Sequence, residues 1–328
     1  KTITSENINE VYPTYYPPRK TPKECYEQII ADLTDAEQYA PDNDNSDRTK
    51  MTKTVAQAML AKVYAEKEVQ DYDKVIAYAD KVMNTTGVEL EDSYETLWGY
   101  DETAIDCMKR NTKEGILEVH WSGGGNWETW MYGRQLDNWD YYFTWAKWIT
   151  PSRDIINDFD KEGDEVRKNQ AIVYYACTWS NYYPASNYPF MYKLRSSYNN
   201  IYWVRLADII LMKAEAEAYK GNLAESAKLV NQIRKRAKLK ELTSDKTGSK
   251  EAMIEAVLHE RRLELAFEGE RWFDLCRNNK VEKYLNGIDN RDSGRIRQVR
   301  QFDSNSYLLP IPQTALDQNT NLEQNPGY

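Results

Sequence analysis

The chain has 328 residues, of which 12% are aromatic and 29% are charged, and its mean hydropathy is -0.81. No segment approaches the roughly 20 consecutive apolar residues that a membrane-spanning helix needs. The net charge of -9 argues against a nucleic-acid-binding surface, which would neutralise phosphates with Lys and Arg. The 10 Trp and 25 Tyr argue against disorder, because large rings bury enough surface to offset the entropy lost on folding.

Residues that commonly carry catalysis or bind metals are scarce. The histidines, His120 and His259, and the four cysteines are isolated, and no Cys-x-x-Cys pair occurs. We therefore expect unpaired, partly buried thiols and neither a zinc site nor Cys/His catalysis. Residues 42–47 are acidic, but a calcium-binding EF-hand loop needs Gly at its sixth position and Glu at its twelfth, where Asp47 and Lys53 stand. The sequence predicts a solvated loop there, and no metal or cofactor.

The first predicted helix begins near residue 22. Residues 1–22 hold four prolines among tyrosines, which is typical of an extended connection. Thr21 is a suitable N-cap, and Pro22 suits the first helical position. Apolar residues then recur at spacings of three and four until Pro41, namely Tyr26, Ile29, Ile30, Leu33 and Ala36.

Two pairs of helices with a similar pattern follow, far apart in the chain. Residues 55–65 and 72–83 form the first pair, and residues 206–218 and 223–233 form the second, with Gly221 in its turn. Small alanines allow close approach of the backbones, and the pattern resembles tetratricopeptide helix pairs. Because more than a hundred residues separate the two pairs, they are not tandem repeats, and a large insertion interrupts the predicted scaffold.

The insertion, residues 87–200, is rich in aromatic residues. Six of the ten tryptophans lie within the 28 residues from Trp121 to Trp148, and three consecutive glycines occupy residues 123–125. The spacing fits neither a helix nor a strand, which predicts loops, and loop-borne rings on a helical scaffold favour a recognition surface. One amphipathic helix is expected at about residues 152–160, with Ser152 as its N-cap and its apolar face in the core.

The C-terminal part is predicted to open with a strongly amphipathic helix that runs from residue 249 through residue 267. Glu260, Glu264 and Glu268 lie four residues apart beside two arginines. This spacing predicts charge pairing along a solvated or interhelical surface rather than a pair of catalytic carboxylates. The aromatic pair Trp272-Phe273 is predicted to anchor in the core, and the proline-rich C-terminus is predicted to pack as coil.

Four stretches carry a resemblance to a known family. The most specific are ERRLELAFEGERWFDLCR at residues 260–277 and the ending, where LPIP at residues 309–312 precedes a terminal QNPGY. The others are VRLADIILMKAEA at residues 204–216 and the helical segments 26–36 and 53–64. Together they resemble the SusD/RagB family of starch-utilisation-type outer-membrane lipoproteins of Bacteroidetes.

The resemblance implies a mostly α fold, with a tetratricopeptide-like helical-repeat scaffold and a large loop-rich aromatic insertion. Within one SusD-like domain, we assign residues 1–86 to a helical-repeat segment and residues 87–200 to the insertion, the candidate ligand-binding region. Residues 201–328 then hold the last repeat, the signature helix and the C-terminal coil. Family members begin with a signal peptide, an acylated cysteine and further helices, so we expect this chain to be the C-terminal portion of a longer protein.

The resemblance also implies a function. Such a protein captures an oligosaccharide or polysaccharide at the cell surface and passes it to a SusC-like TonB-dependent outer-membrane transporter, as a step of nutrient uptake and polysaccharide utilisation. It is not an enzyme. Its expected location is the surface of the outer membrane, where an N-terminal lipid anchor that this chain does not contain holds the full-length protein. Nucleic acid is not an expected partner, because the charged residues from Trp121 to Trp148 sum to -1.

Sugar binding has a recognisable chemical requirement. A pyranose ring packs its apolar face on a Trp or Tyr ring, while its hydroxyls need hydrogen bonds from polar side chains. The insertion supplies both. The candidate ligand-binding residues are the rings of Trp127, Trp130, Trp139, Trp179 and Tyr182 and the polar side chains of Asn126, Arg134, Asp137 and Asn138.

Two alternatives remain open. A peptide-capturing, RagB-like member of the same family would place a strand edge or unpaired backbone groups beside the rings. A glycoside hydrolase would use Glu128, Asp137 or Asp140 as acid and base, with two carboxyl groups about 5 to 10 Å apart across a bound sugar.

Overall fold

The computed structural model describes residues 4, 6–11, 15–101, 103–104, 106–121, 149–177, 180–195, 198–292 and 300–328. About half of these described residues are helical. A 3-10 helix spans Ser304–Tyr307. The α-helices of the described part are α1 Ile8–Val11, α2 Pro22–Tyr39, α3 Lys53–Ala65, α4 Tyr72–Met83, α5 Glu95–Trp98, α6 Arg153–Glu162, α7 Glu165–Ala171, α8 Leu206–Lys220, α9 Leu223–Arg236, α10 Ser244–Thr247, α11 Lys250–Glu264, α12 Arg271–Arg277, α13 Val281–Leu285, α14 Ile288–Arg291 and α15 Gln313–Gln318.

The described strands pair as three antiparallel two-stranded ribbons. In one ribbon, β3 pairs with β6, which leads directly into α8. This ribbon therefore lies where the chain returns to the helical scaffold. Another, β4–β5, lies within the predicted insertion. The strands are β1 Tyr100–Asp101, β2 Asp106–Cys107, β3 Gly115–His120, β4 Ile172–Tyr175, β5 Tyr188–Met191 and β6 Asn200–Arg205.

Helix α8 lies at the centre of the core. Every residue from Leu206 to Ala218 is buried, because α3, α4, α9 and α11 all pack against this helix. The helical pairs α3–α4 and α8–α9 are therefore neighbours in space although the insertion separates them in sequence. Both predicted pairs are confirmed, and Gly221 adopts the left-handed conformation (φ 86°) that ends α8.

Helix α2 begins where the sequence predicts. The backbone N–H of Glu24 donates to the Thr21 hydroxyl (3.2 Å), and the backbone N–H of Thr21 donates to the Glu24 carboxylate (3.0 Å). This reciprocal capping box satisfies two donors that the helix itself leaves open. The N-cap predicted for α6 is also confirmed, because the hydroxyl of Ser152 accepts a bond from the backbone N–H of Ile155. Helix α11 begins near the predicted residue, where the hydroxyl of Ser249 accepts a bond from the backbone N–H of Ala252.

Two predictions for the C-terminal part are wrong. Helix α11 ends at Glu264, because Phe267 (φ 66°) and Gly269 (φ 89°) take left-handed conformations that turn the chain into α12. Phe273 is 57% exposed rather than a core anchor. Helix α12 turns Leu275 inward instead, and Trp272 is half-buried against Phe302.

The signature carboxylates are buried rather than solvated. Glu260 accepts bonds from Arg167 of α7 (2.7 Å) and Arg234 of α9 (3.0 Å), and Glu264 accepts a bond from Arg205 of β6 (2.6 Å). The interhelical alternative is therefore confirmed. Although burial raises the pKa of Glu264, the surrounding arginines hold it well below its ordinary value, so the group stays charged.

The acidic loop at residues 42–47 binds cations of the chain itself. Asn43 and Asn45 accept bonds from the buried guanidinium of Arg48 (2.5 and 2.8 Å), and Asp44 and Asp47 pair with a lysine. Within the described ranges, no group of three or more His, Cys, Asp or Glu side chains could hold a metal ion, and no helix is long and apolar enough to span a membrane. The four cysteines are unpaired, with Cys25 exposed.

Candidate functional site

The β4–β5 ribbon supports the aromatic residues of the insertion that the structure describes. Its strands are rich in β-branched and aromatic residues, and they pair from Ile172 opposite Met191 to Tyr175 opposite Tyr188. We call residues 176–187, which connect the strands, the aromatic loop. The backbone N–H of Cys177 donates to the Ala185 carbonyl (2.7 Å), which extends the pairing beyond the strands.

Four rings form a continuous array from the aromatic loop into the ribbon. Tyr182 and Tyr183 meet edge-to-face at a centroid distance of 5.0 Å, and Tyr183 meets Tyr188 in the same way at 5.5 Å. Tyr188 in turn contacts Phe190 at 5.1 Å. Tyr188 and Phe190 are buried, whereas Tyr182 and Tyr183 are half-buried, so the array is anchored at one end and accessible at the other.

Arg153, the first residue of α6, orients the two accessible rings. Its guanidinium carbon lies 4.4 Å from the ring centre of Tyr182 and 4.1 Å from that of Tyr183, and the group also donates to the Tyr182 carbonyl. The buried carboxylate of Asp292 pairs with the same guanidinium (3.2 Å). The charge of Arg153 is thus compensated within the protein, while its planar group stacks on the rings.

Hydrogen bonds fix the remaining geometry of the array. The Tyr183 hydroxyl donates to the Pro151 carbonyl (2.8 Å), and burial raises the pKa of this hydroxyl, so it stays protonated. The Tyr188 hydroxyl lies 3.1 Å from Ser180 Oγ and 3.2 Å from Thr150 Oγ1. The rings are therefore held in place before any ligand arrives.

An open cavity of about 800 Å³ lies over this array. Its aromatic wall can pack on an apolar ring face, and its hydroxyl and amide groups can exchange hydrogen bonds with a polar ligand. Asn181 is exposed and lines the cavity. The lining residues are Arg153, Cys177, Ser180, Asn181, Tyr182, Tyr183, Pro184 and Ala185.

Of the nine ligand-binding residues predicted from the sequence, Tyr182 lies within this site. The other eight lie outside the described residues, at 126, 127, 130, 134, 137, 138, 139 and 179. The structure adds Arg153 and Asp292, which sequence reasoning missed. The position of Arg153 directly after the predicted N-cap Ser152 could have indicated that it begins a helix. Nothing in the sequence connects Arg153 or Asp292 with the aromatic loop.

Lys193 ties the base of the ribbon to the signature segment. It follows β5 by two residues, is 1% exposed, and donates to the Glu268 carboxylate (2.6 Å) and the Glu264 carbonyl (3.0 Å). Its ammonium also lies 4.7 Å from the Trp98 ring centre. Burial lowers the pKa of Lys193 from 10.5 to about 8, so the ribbon is anchored by a strongly desolvated charge.

Two family models match the sequence. The model described as "SusD family" matches residues 113–328, and the model described as "Starch-binding associating with outer membrane" matches residues 3–65. SusD-like protein P2 of Formosa agariphila has 28% sequence identity with this chain in an alignment that covers 94% of it. The chain spans 66% of the length of that relative.

Solved structures of similar fold support the helical-repeat architecture. A SusD-like protein from Bacteroides fragilis superposes with a TM-score of 0.75 at 21% identity, covering 100% of this chain and 74% of that one. A structure named "Laminarin binding SusD-like protein" superposes with a TM-score of 0.66 at 23% identity, covering 94% of this chain and 70% of that one. The predicted mostly α, tetratricopeptide-like fold is confirmed.

Proposed function

The chain belongs to the SusD family, and from this premise we propose that it is a non-catalytic protein that captures an oligosaccharide through the rings of its insertion. Glycan binding and association with the outer membrane accord with the starch-binding family model and with the laminarin-binding structural relative. The proposed contacts are Tyr182 of the aromatic loop and the other predicted residues, Asn126, Trp127, Trp130, Arg134, Asp137, Asn138, Trp139 and Trp179.

The ring array beside the compensated Arg153 carries the proposal. Tyr182 and Tyr183 present aromatic surface on a rigid base, and Asp292 neutralises the cation that orients them. A neutral sugar suits such a surface better than a phosphate or a sulfate, because an anion would find no uncompensated positive charge on Arg153. Ser180 and Asn181 supply polar groups for its hydroxyls.

We further propose that the full-length protein is lipid-anchored at the cell surface and delivers its ligand to a SusC-like TonB-dependent transporter. Each stacked ring is expected to contribute about 1 to 2 kcal/mol, part of which offsets ligand ordering. Affinity per site is therefore modest, which suits a protein that must release what it captures.

The proposal is tested by isothermal titration calorimetry of purified protein against soluble laminarin and starch oligosaccharides. Replacing Trp127, Trp130, Trp139 or Trp179 with Ala, one at a time, is expected to weaken binding about 5- to 30-fold, the equivalent of one lost ring. Tyr182→Ala should have the same effect. Tyr182→Phe, which keeps the ring, should bind nearly as well as the wild type.

Tyr39→Ala is the matched control. Tyr39 is 77% exposed on α2, so its replacement removes an accessible ring from the scaffold rather than from the insertion. We expect unchanged glycan binding. If none of the ring variants binds more weakly than this control in a correctly folded protein, the assignment of the site is wrong.

Peptide capture is the second candidate. The β4–β5 ribbon has two strands, so each keeps one edge that no other described strand pairs, beside the rings of the aromatic loop. Such an edge can add an extended peptide as a third strand. Calorimetry with peptides of increasing length decides between the two ligands, since affinity that rises with peptide length and no response to glycans would favour this alternative.

A glycoside hydrolase would turn over the same glycans. Its proposed acid and base, Glu128, Asp137 and Asp140, lie outside the described residues. An assay for newly formed reducing ends on each bound glycan tests this function. We expect binding without turnover.

A further inference from the structure

A second cavity, of about 540 Å³, lies away from the β4–β5 ribbon. It is bounded by the start of α2, the turn after α3, the α12–α13 segment and the 3-10 helix near the C-terminus. Two half-buried tyrosines, Tyr26 and Tyr307, form aromatic walls, and Pro22, Cys276 and Leu308 add apolar surface. The other lining residues are Glu66, Lys67, Glu68, Arg277, Asn279, Glu282 and Ser304.

The carboxylate of Glu66 is the unusual group in this cavity. The backbone of Glu66 is fixed at the end of α3, where its carbonyl accepts bonds from the N–H groups of Val69 and Gln70 (both 2.9 Å). Its side chain is half-buried and has no hydrogen-bond or ion-pair partner in the part of the chain that the structure describes. Burial raises the pKa of this carboxyl, and this effect outweighs the attraction of Arg277 and Lys62, which lowers it.

The two cations that attract Glu66, Arg277 and Lys62, are paired with other carboxylates. Arg277 donates to both carboxylate oxygens of Glu215 and to Asp274, each at 2.8 Å. Lys62 pairs with Asp208 (2.6 Å) and with a further glutamate. Both attract the Glu66 carboxylate, but neither forms an ion pair or a hydrogen bond with it, so its oxygens remain available to a ligand.

The charged groups of the lining sum to -1, because Glu66, Glu68 and Glu282 outnumber Lys67 and Arg277. Glu282 accepts a bond from the Tyr307 hydroxyl (2.7 Å). Lys67 lies 5.1 Å from the Tyr307 ring centre, which shows that this ring already receives a cation. A neutral sugar would leave the Glu66 carboxylate without an ion-pair partner. An anion would meet three carboxylates in a lining whose guanidinium, that of Arg277, already binds other acids.

We propose that this cavity binds an ammonium or guanidinium group, with the Glu66 carboxylate as counter-ion and the tyrosine rings as walls. A carboxylate accepts strong, charge-assisted hydrogen bonds from such groups, and the faces of aromatic rings attract cations. The group belongs either to a Lys or Arg side chain of a polypeptide or to a small free amine. This binding is independent of the proposed capture of glycans.

Four probes test the proposal by calorimetry and NMR titration. N-acetyl-arginine amide and the tripeptide Gly-Arg-Gly present the charged group, methylguanidinium presents it without a peptide, and N-acetyl-citrulline amide is an uncharged isostere. We expect the arginine probe to bind at least about tenfold more tightly than the citrulline probe. Tighter binding of the tripeptide than of methylguanidinium assigns the site to polypeptides, and equal binding assigns it to small amines.

Glu66→Gln is the decisive variant. It removes the charge and keeps the shape, and folding should be preserved or improved, because a half-buried acid without a partner is destabilising. We expect about tenfold weaker binding of the arginine probe. Tyr26→Ala should also weaken binding, while Glu27→Gln, a change on the exposed side of α2, should leave it unchanged.

Three results would overturn the proposal. One is equal affinity for the arginine and citrulline probes, and another is unchanged binding by a folded Glu66→Gln variant. The third is no detectable binding of any charged probe up to about 10 mM, below which even weak specific contacts are measurable. None of these outcomes bears on glycan binding.

Discussion

Replacing Lys193 with Met should uncover an unusual dependence of stability on pH. The ammonium of Lys193 is 1% exposed, and it contacts the Glu268 carboxylate, the Glu264 carbonyl and the Trp98 ring. A Met side chain has similar length and packs well on aromatic rings, so the variant removes the charge with little loss of volume. Arg205 continues to neutralise Glu268 (2.7 Å).

The magnitude follows from the pKa of Lys193. Burial lowers this pKa from 10.5 to about 8, and one pKa unit corresponds to 1.36 kcal/mol. Protonation of Lys193 is therefore less favourable in the folded state than in the unfolded state by about 3 kcal/mol. Below pH 8 the lysine is charged in both the folded and unfolded states. Between pH 8 and 10.5 the unfolded state binds more protons, so the contribution of Lys193 to stability rises with pH.

The assay is urea unfolding of wild type and Lys193→Met at several pH values from 7 to 10. At pH 7 the variant should be as stable as the wild type or more stable, by up to about 3 kcal/mol. This advantage should shrink as the pH rises, because the wild-type lysine loses its proton. Titration of all other groups is common to both proteins and cancels in the difference.

Lys228→Met serves as the control, since Lys228 is 76% exposed on α9 and its removal relieves no desolvation. Its difference from the wild type should show no comparable change with pH. The reasoning would be refuted if the difference in free energy of unfolding between Lys193→Met and the wild type stayed constant between pH 8 and 10, or if it came to favour the variant more.

Three further substitutions probe the signature segment. Glu264→Gln should lower the free energy of unfolding at pH 7 by about 3 to 5 kcal/mol in urea titrations, because it leaves three arginines without their shared carboxylate. The wild type should lose the same contribution as the pH falls below about 4.5, the ordinary pKa of Glu. In thermal unfolding, Phe273→Ala should lower stability by less than about 1 kcal/mol, because Phe273 is 57% exposed. Leu275→Ala should lower it by about 2 to 5 kcal/mol, because Leu275 is 1% exposed. Equal losses would contradict the assignment of Leu275, and not Phe273, to the core.

Helix starts could be predicted from sequence because they are local. Thr21, Ser152 and Ser249 each cap a helix through a hydroxyl that accepts a bond from the third residue beyond. Such a bond needs no other part of the chain. Apolar spacing likewise predicted both helical pairs, since it reports one face of one helix.

The direction in which a charged or aromatic face points could not be predicted. The spacing of Glu260 and Glu264 shows that they share a face of α11 but not that Arg167 and Arg234 come from other helices to bury them. The prediction that Phe273 is buried was wrong for the same reason, because the elements that pack against α12 decide which side of this helix faces the core.

The sites depend on contacts between distant residues. Arg153 meets Asp292 across 139 positions and Tyr182 across 29, and the ribbon that carries the aromatic loop is anchored by Lys193 to Glu268, 75 positions away. Nothing in the local sequence of any of these residues identifies its partner.

Composition and signature motifs thus established the family, the helical-repeat scaffold and the aromatic character of the insertion, because each is a property of short stretches of sequence. Tertiary structure alone decided that Arg153 orients Tyr182 and that Glu66 faces a cavity without a direct ion-pair partner among the described residues. The physical reason is that helical hydrogen bonds and side-chain periodicity act over about four residues, whereas burial and ion pairing depend on which distant elements pack together.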